Sequence, residues 1–172
     1  MKNLYKISSK VGFFVILFLF ASFIGWSYGS HYVIHPQFDA AHSFHEGLAA
    51  IKIGGKWGYI NRYNRFTINP KFDGARRFSE GLAAVWTGNL FGGKWGYINE
   101  NGGYVIHPQF NDALPFSDGL AAVEVGGKWG YINRYGKYVI NPQFDRAGSF
   151  SEGLAPVWTG NLFGGKWGYI SK

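Results

Sequence analysis

Four carboxylates, Glu46, Glu80, Asp118 and Glu152, each stand immediately before a glycine in the phrase F-(S/H)-(E/D)-G-L-A, and four lysines, Lys56, Lys94, Lys128 and Lys166, each precede Trp-Gly. Two carboxylates held about 5 Å apart, or up to about 9.5 Å for an inverting pair, can cleave a glycosidic bond. That chemistry needs unlike environments for its two carboxylates, because their pKa values must be driven apart. Repetition in one register supplies like ones. The plainer role is a carboxylate accepting hydrogen bonds in the tight turn before Gly47, Gly81, Gly119 and Gly153, with the lysine of the same unit nearby. An enzyme should also hold an acid where its sister units lack one. Only Asp112 and Glu124 come close, and Asp112 reads as a shifted turn acid. No catalytic residue is expected. The competing class is an envelope glycan hydrolase using carboxylates from two repeat units.

The histidines point the same way. His35 and His107 occupy the place of Asn69 and Asn141, so the position suits a hydrogen-bonding group beside proline. His31, His42 and His45 are unrepeated, and with His35 they match no zinc spacing. No metal and no cofactor are expected. Cysteine is absent, which removes both a disulfide framework and a thiolate nucleophile. There is no G-x-S-x-G, Walker loop or Rossmann fingerprint.

These residues are positioned by a repeat. The phrase GGKWGYI recurs at residues 54–60, 92–98, 126–132 and 164–170, in fixed order with a (Y/F)-(V/T)-I-(H/N)-P-x-F phrase and the F-(S/H)-(E/D)-G-L-A phrase. The full units are residues 32–60, 66–98, 104–132 and 138–170. Pro36, Pro70, Pro108 and Pro142 are spaced 34, 38 and 34, so the array is two copies of a pair. A fixed period in this range marks supersecondary units that bury their apolar faces only against one another.

Within a unit, residues 120–125 and 128–132 alternate and are joined by Gly126-Gly127, the signature of a hairpin whose two-residue turn needs positive φ at both positions. A second turn at residues 133–136 leads into residues 138–144, where Pro142 cannot donate to a ladder, so this run belongs at an edge or carries a bulge. The expectation is all-β: four antiparallel meanders of about three strands, arrayed as a solenoid or a propeller. The KWGYI, I-N-P-x-F and F-S-E-G-L-A phrases, four times each, resemble the bacterial WG (KWG) repeat over residues 32–170. That resemblance implies a β-rich repeat region of the kind common in exported or surface-associated bacterial proteins, with no established biochemical activity.

Aromatic residues make up 20% of the chain. Trp57, Trp95, Trp129 and Trp167 alternate with Tyr59, Tyr97, Tyr131 and Tyr169 and should pack between units. Trp86 and Trp158 share a register with Lys52 and Glu124, which suggests a solvent-facing position, and they coincide with hairpins longer by four residues. Trp86, Asn89, Leu90, Phe91, Trp158, Asn161, Leu162 and Phe163 therefore form the candidate binding surface, for a protein or glycan at the cell envelope. The plainer alternative is that each tryptophan merely lies under its own longer loop.

Lys2, Lys6 and Lys10 precede an apolar run at residues 11–26, so residues 1–29 read as a signal peptide or an uncleaved membrane anchor. The repeat domain, residues 30–172, would then face outward or be released. Its formal charge is +4, the chain's +7 less the three N-terminal lysines, and evenly spread. No nucleic-acid partner is expected, since that would show clustered Lys and Arg. Residues 32–38 are also the natural partner for the final GGKWGYI run. Pairing the two would close the array into a ring; otherwise it stays open.

Overall fold

The computed structural model describes residues 31–89, 92–161 and 163–172. The chain divides into two units, Met1–Pro36 and Gln37–Lys172. In the first, residues 31–36 form neither helix nor strand, and the Tyr32 and His35 rings lie 5.7 Å apart. The export segment lies outside the described residues. Among the described residues no helix is long and apolar enough to cross a membrane.

The second unit is built from antiparallel sheets in chain order. The first sheet holds β1 (Ala40–Ala41), β2 (Leu48–Ile53), β3 (Lys56–Asn61) and β4 (Phe66–Phe72). The second holds β5 (Gly74–Ser79), β6 (Leu82–Asn89), β7 (Gly92–Asn99) and β8 (Tyr104–Phe110). The third holds β9 (Asp112–Ala113), β10 (Ala121–Val125), β11 (Lys128–Ile132) and β12 (Tyr138–Phe144). The fourth stops at three, β13 (Arg146–Ala147), β14 (Leu154–Asn161) and β15 (Gly164–Ser171). The meander expected from the sequence is present, with one more strand ahead of each hairpin. In three of the sheets that strand is two residues long, too short to show alternation.

The turn chemistry is as the glycines require. Gly126 and Gly127 have φ of 59° and 78°, and Val125 pairs directly with Lys128 across them. Each strand formed by the I-(H/N)-P-x-F phrase, β4, β8 and β12, is an edge strand, whereas Pro156 sits in the central strand β14. Along these edge strands the register slips, as between Trp57↔Phe72 and Tyr59↔Ile68 around Pro70, so the missing N–H falls in a bulge.

Three hydrophobic clusters lie between successive sheets. In the second sheet, Ala83, Val85 and Ile98 meet Ala50 and Tyr59 of the first, while Leu82, Ala84 and Tyr97 meet Phe116 and Val123 of the third. Both faces of an inner sheet are therefore core. In the last sheet Trp158 shares its face with Trp167 and Leu154, which are exposed. For Lys52, Trp86 and Glu124 the expectation of an open solvent face is corrected: their register shares its pleat with Ala84 and points toward the next sheet, at the rim, where Lys52 and Glu124 are half-buried. A long polar side chain can reach water from such a rim.

The two ends differ from the middle. β15 pairs with β14 and, among the described residues, with nothing on its other edge, and residues 31–38 form no strand. Among the described residues, therefore, no strand formed by residues 32–38 closes the array.

Candidate functional site

The repeated residues make the joints between sheets. The Tyr59 hydroxyl donates to the Arg76 carbonyl at 2.7 Å, Tyr97 to that of Leu114 at 2.7 Å and Tyr131 to that of Gly148 at 2.9 Å. The same rings meet Phe78, Phe116 and Phe150 edge-on at 4.8, 4.9 and 4.9 Å. Burial disfavours the phenolates, pushing Tyr131 up to about 12 and Tyr59 and Tyr97 higher still. Among the described residues no sheet packs over Tyr169, which is 73% exposed.

The carboxylates also join sheets. Glu46 accepts from the Glu80 and Gly81 amides at 2.7 and 2.9 Å, Glu80 from Gly119 at 3.1 Å, and Asp118 from Gly153 at 2.9 Å. They serve turns as expected, but the turn is that of the next sheet. The lysines likewise reach forward. Lys56 pairs with Asp73 and Lys128 with Asp145, whose other oxygens accept from Gly88 at 3.1 Å and Gly160 at 3.0 Å. The lysine hydrogen bond, helped by the glycine amide, holds both aspartates below the ordinary carboxylate range. Each Lys–Asp pair thus ties a short hairpin to the long hairpin of the next sheet.

A family model for the WG containing repeat matches residues 31–57, 57–91, 95–129 and 129–163. The chain belongs to the WG repeat family. No curated protein matches it. Among solved structures it is similar to the tricorn protease, at 13% identity and a TM-score of 0.44, over 77% of this chain and 15% of that one. The chain thus spans about a sixth of that structure's length.

In this WG repeat protein the long hairpins are two residue pairs longer than the short ones, which have a single pair beyond Lys52↔Trp57 and Glu124↔Trp129. Beyond Trp86↔Trp95 come Thr87↔Lys94, Gly88↔Gly93 and Asn89↔Gly92, and beyond Trp158↔Trp167 come Thr159↔Lys166, Gly160↔Gly165 and Asn161↔Gly164. The indoles fold over the glycine pairs. A Cβ on Gly88 or Gly93 would sit 2.6 or 2.5 Å from the Trp86 ring, and one on Gly160 or Gly165 would sit 2.5 or 2.3 Å from that of Trp158. Trp86 and Trp158 are half-buried supports of their own hairpins. Leu90, Phe91 and Leu162 lie outside the described residues. Asn161 accepts from the Phe163 amide at 2.9 Å, and Phe163 stands at the tip, 98% exposed. The Asn89 counterpart ends β6 at the second hairpin.

Other candidates are dispersed or committed. Among the described residues no three His, Asp or Glu side chains converge. His42 packs instead against Trp57, rings 4.6 Å apart, and with His45, Arg76, Arg77 and Pro115 lines a shallow open cleft. Asp112 and Glu124 prove to be direct cross-strand partners, a juxtaposition that sequence spacing alone does not reveal. Asp112 is held by Arg76 at 2.7 Å, and the guanidinium of Arg76 also covers the Trp95 ring at 4.8 Å. The exposed aromatic face of the last sheet, with Trp167 58% exposed beside Tyr169, was also missed.

Proposed function

We propose that this WG repeat protein is an exported, non-catalytic binding or scaffold module that holds a partner at the cell envelope through the tips of its long hairpins. The observation that carries this reading is Phe163, an apolar ring almost wholly in solvent at the end of a hairpin stiffened by Trp158 and the Lys128–Asp145 pair. A pre-formed aromatic anchor loses little entropy on binding and gains its full apolar burial. The Phe163 side chain carries no hydrogen-bonding atom, which favours a protein over a glycan. The repeated carboxylates support a non-catalytic role, because Glu46, Glu80 and Asp118 are taken up by backbone amides. Export rests on the lysines ahead of residues 11–26, and the chain is either anchored facing outward or released.

The test uses isolated cell envelopes and purified cell-wall glycan as probes. Phe163→Ala should leave the melting curve unchanged and weaken envelope binding by roughly thirtyfold, as loss of about 2 kcal/mol requires. Equal binding by the variant would sink the reading, and binding that follows the purified glycan would reassign the partner. A reporter fused after Lys172 that is active only in the cytoplasm would refute export. A second reading, a glycan hydrolase, is favoured by Asp112 lying opposite Glu124. It requires turnover of cell-wall glycan that Glu124→Gln abolishes.

A further inference from the structure

Among the described residues the last sheet has three strands where the other three have four, and one copy of the fourth-strand sequence forms no strand. Residues 32–38, Tyr-Val-Ile-His-Pro-Gln-Phe, are identical to residues 104–110, which form β8. β8 pairs with the GGKWGYI of β7 in the register Trp95↔Phe110, Tyr97↔Ile106 and Ile98↔Tyr104. β15 carries the same GGKWGYI and, among the described residues, pairs with no strand on its outer edge, while Tyr32 and Val33 are exposed and outside any strand.

Glycine marks the same vacancy. A Cβ on Gly58, Gly96 or Gly130 would lie 2.5, 2.6 or 2.5 Å from the carbonyl oxygen of Ile68, Ile106 or Ile140 on the neighbouring fourth strand. Only glycine lets that strand approach. Gly168 is the matching residue of β15, and a Cβ there would meet nothing within 4 Å.

We infer that the β15 edge is a docking site for residues 32–38 of a second copy of this chain, which would complete the fourth sheet by strand addition. The contact continues an interface that the molecule already makes three times, at β3–β4, β7–β8 and β11–β12. It would place Phe38 opposite Trp167, Ile34 opposite Tyr169 and Tyr32 opposite Ile170. Strand addition gives affinity through main-chain hydrogen bonds and specificity through alternate side chains. An open edge is an incentive for such pairing. The donor is a second copy because, within one chain, the segment lies two residues ahead of β1, so the first and fourth sheets would have to be neighbours. The described clusters instead join first to second, second to third and third to fourth, and Tyr169, whose counterparts are buried in joints, is exposed. Each copy offers one edge and one segment, a head-to-tail contact that builds chains or larger rings. This inference does not depend on the hairpin-tip reading, because it leaves Phe163 untouched.

The test exploits the absence of cysteine. Full-length protein in mild detergent is prepared as Ile34→Cys and as Tyr169→Cys, and the two are mixed and oxidised. Directly opposed residues of an antiparallel pair lie within reach of a disulfide. The expected product is the mixed dimer, and the double variant should give a ladder of linked multimers. A heptapeptide of residues 32–38, at about ten times its Kd, should lower the yield roughly tenfold. Gly168→Ala should leave the melting curve unchanged, there being nothing for its Cβ to strike, yet abolish the cross-link. Failure of the mixture to cross-link, a double variant linked only within the monomer, or a cross-link indifferent to both the peptide and Gly168→Ala would each overturn the proposal.

Discussion

If the tyrosine hydroxyls are the joints between sheets, removing one oxygen should loosen the array while leaving its core filled. Tyr97→Phe is the cleanest such change. The Tyr97 ring is fully buried and keeps its edge-on contact with Phe116, so no cavity forms. What is lost is a 2.7 Å hydrogen bond to the half-buried Leu114 carbonyl, which is left without that donor. A net hydrogen bond is worth about 1 kcal/mol, and stranding a partly buried acceptor adds to it, so the expected loss is about 1–2 kcal/mol. For a domain of this size that is a fall of roughly 3–8 °C in Tm. Tyr169→Phe is the internal control. Its ring is exposed, and an exposed substitution should stay within about 0.5 kcal/mol. Urea and thermal denaturation of both variants decide the matter. If Tyr97→Phe costs no more than Tyr169→Phe, the hydroxyl contributes nothing to the joint and the account of inter-sheet coupling fails.

Two further outcomes follow from the turns and the ion pairs. Gly127 has φ of 78° and open space around its absent Cβ, so Gly127→Val should destabilise through backbone strain alone, by about 1–3 kcal/mol; an unchanged Tm would contradict the turn geometry. Asp73 and Asp145 titrate lower folded than unfolded, so their contribution is complete above the ordinary aspartate value of about 3.9 and is lost as pH falls through the lower folded value. Tm should therefore drop more steeply with acid in the parent protein than in Asp73→Asn/Asp145→Asn, the two curves converging at low pH. Parallel curves would show that the lysine pairs do not couple to folding.

Local chemistry was legible in the sequence, and contacts across sheets were not. Gly126-Gly127 and Pro142 declare their turn and edge positions because φ and the missing N–H act on neighbouring residues. Arg146–Ala147 is invisible as a strand because two residues cannot alternate. Charges at Lys52 and Glu124 pointed to a solvated face, yet a sheet rim lets a long side chain reach water while its pleat neighbour Ala84 is fully buried. The roles of Glu46 and Lys56 were assigned to their own unit, whereas their partners stand 34 and 17 residues downstream, where no local pattern records them. Of the candidate surface, the coincidence of tryptophan with a longer hairpin was real. What the indole does there depends on the glycines facing it across the strand pair.

Each joint reaches only a short way ahead. A tyrosine hydroxyl bonds 17 residues downstream, and a turn carboxylate bonds 34 to 39. A chain leaving the ribosome or a translocation channel can therefore complete each seam once the next hairpin has cleared the exit, without waiting for its far end. Low separation between contacting residues favours fast folding, and order of emergence then becomes order of assembly. Of the described strands β15 emerges last, and its outer edge is the one that the inferred second copy would cover.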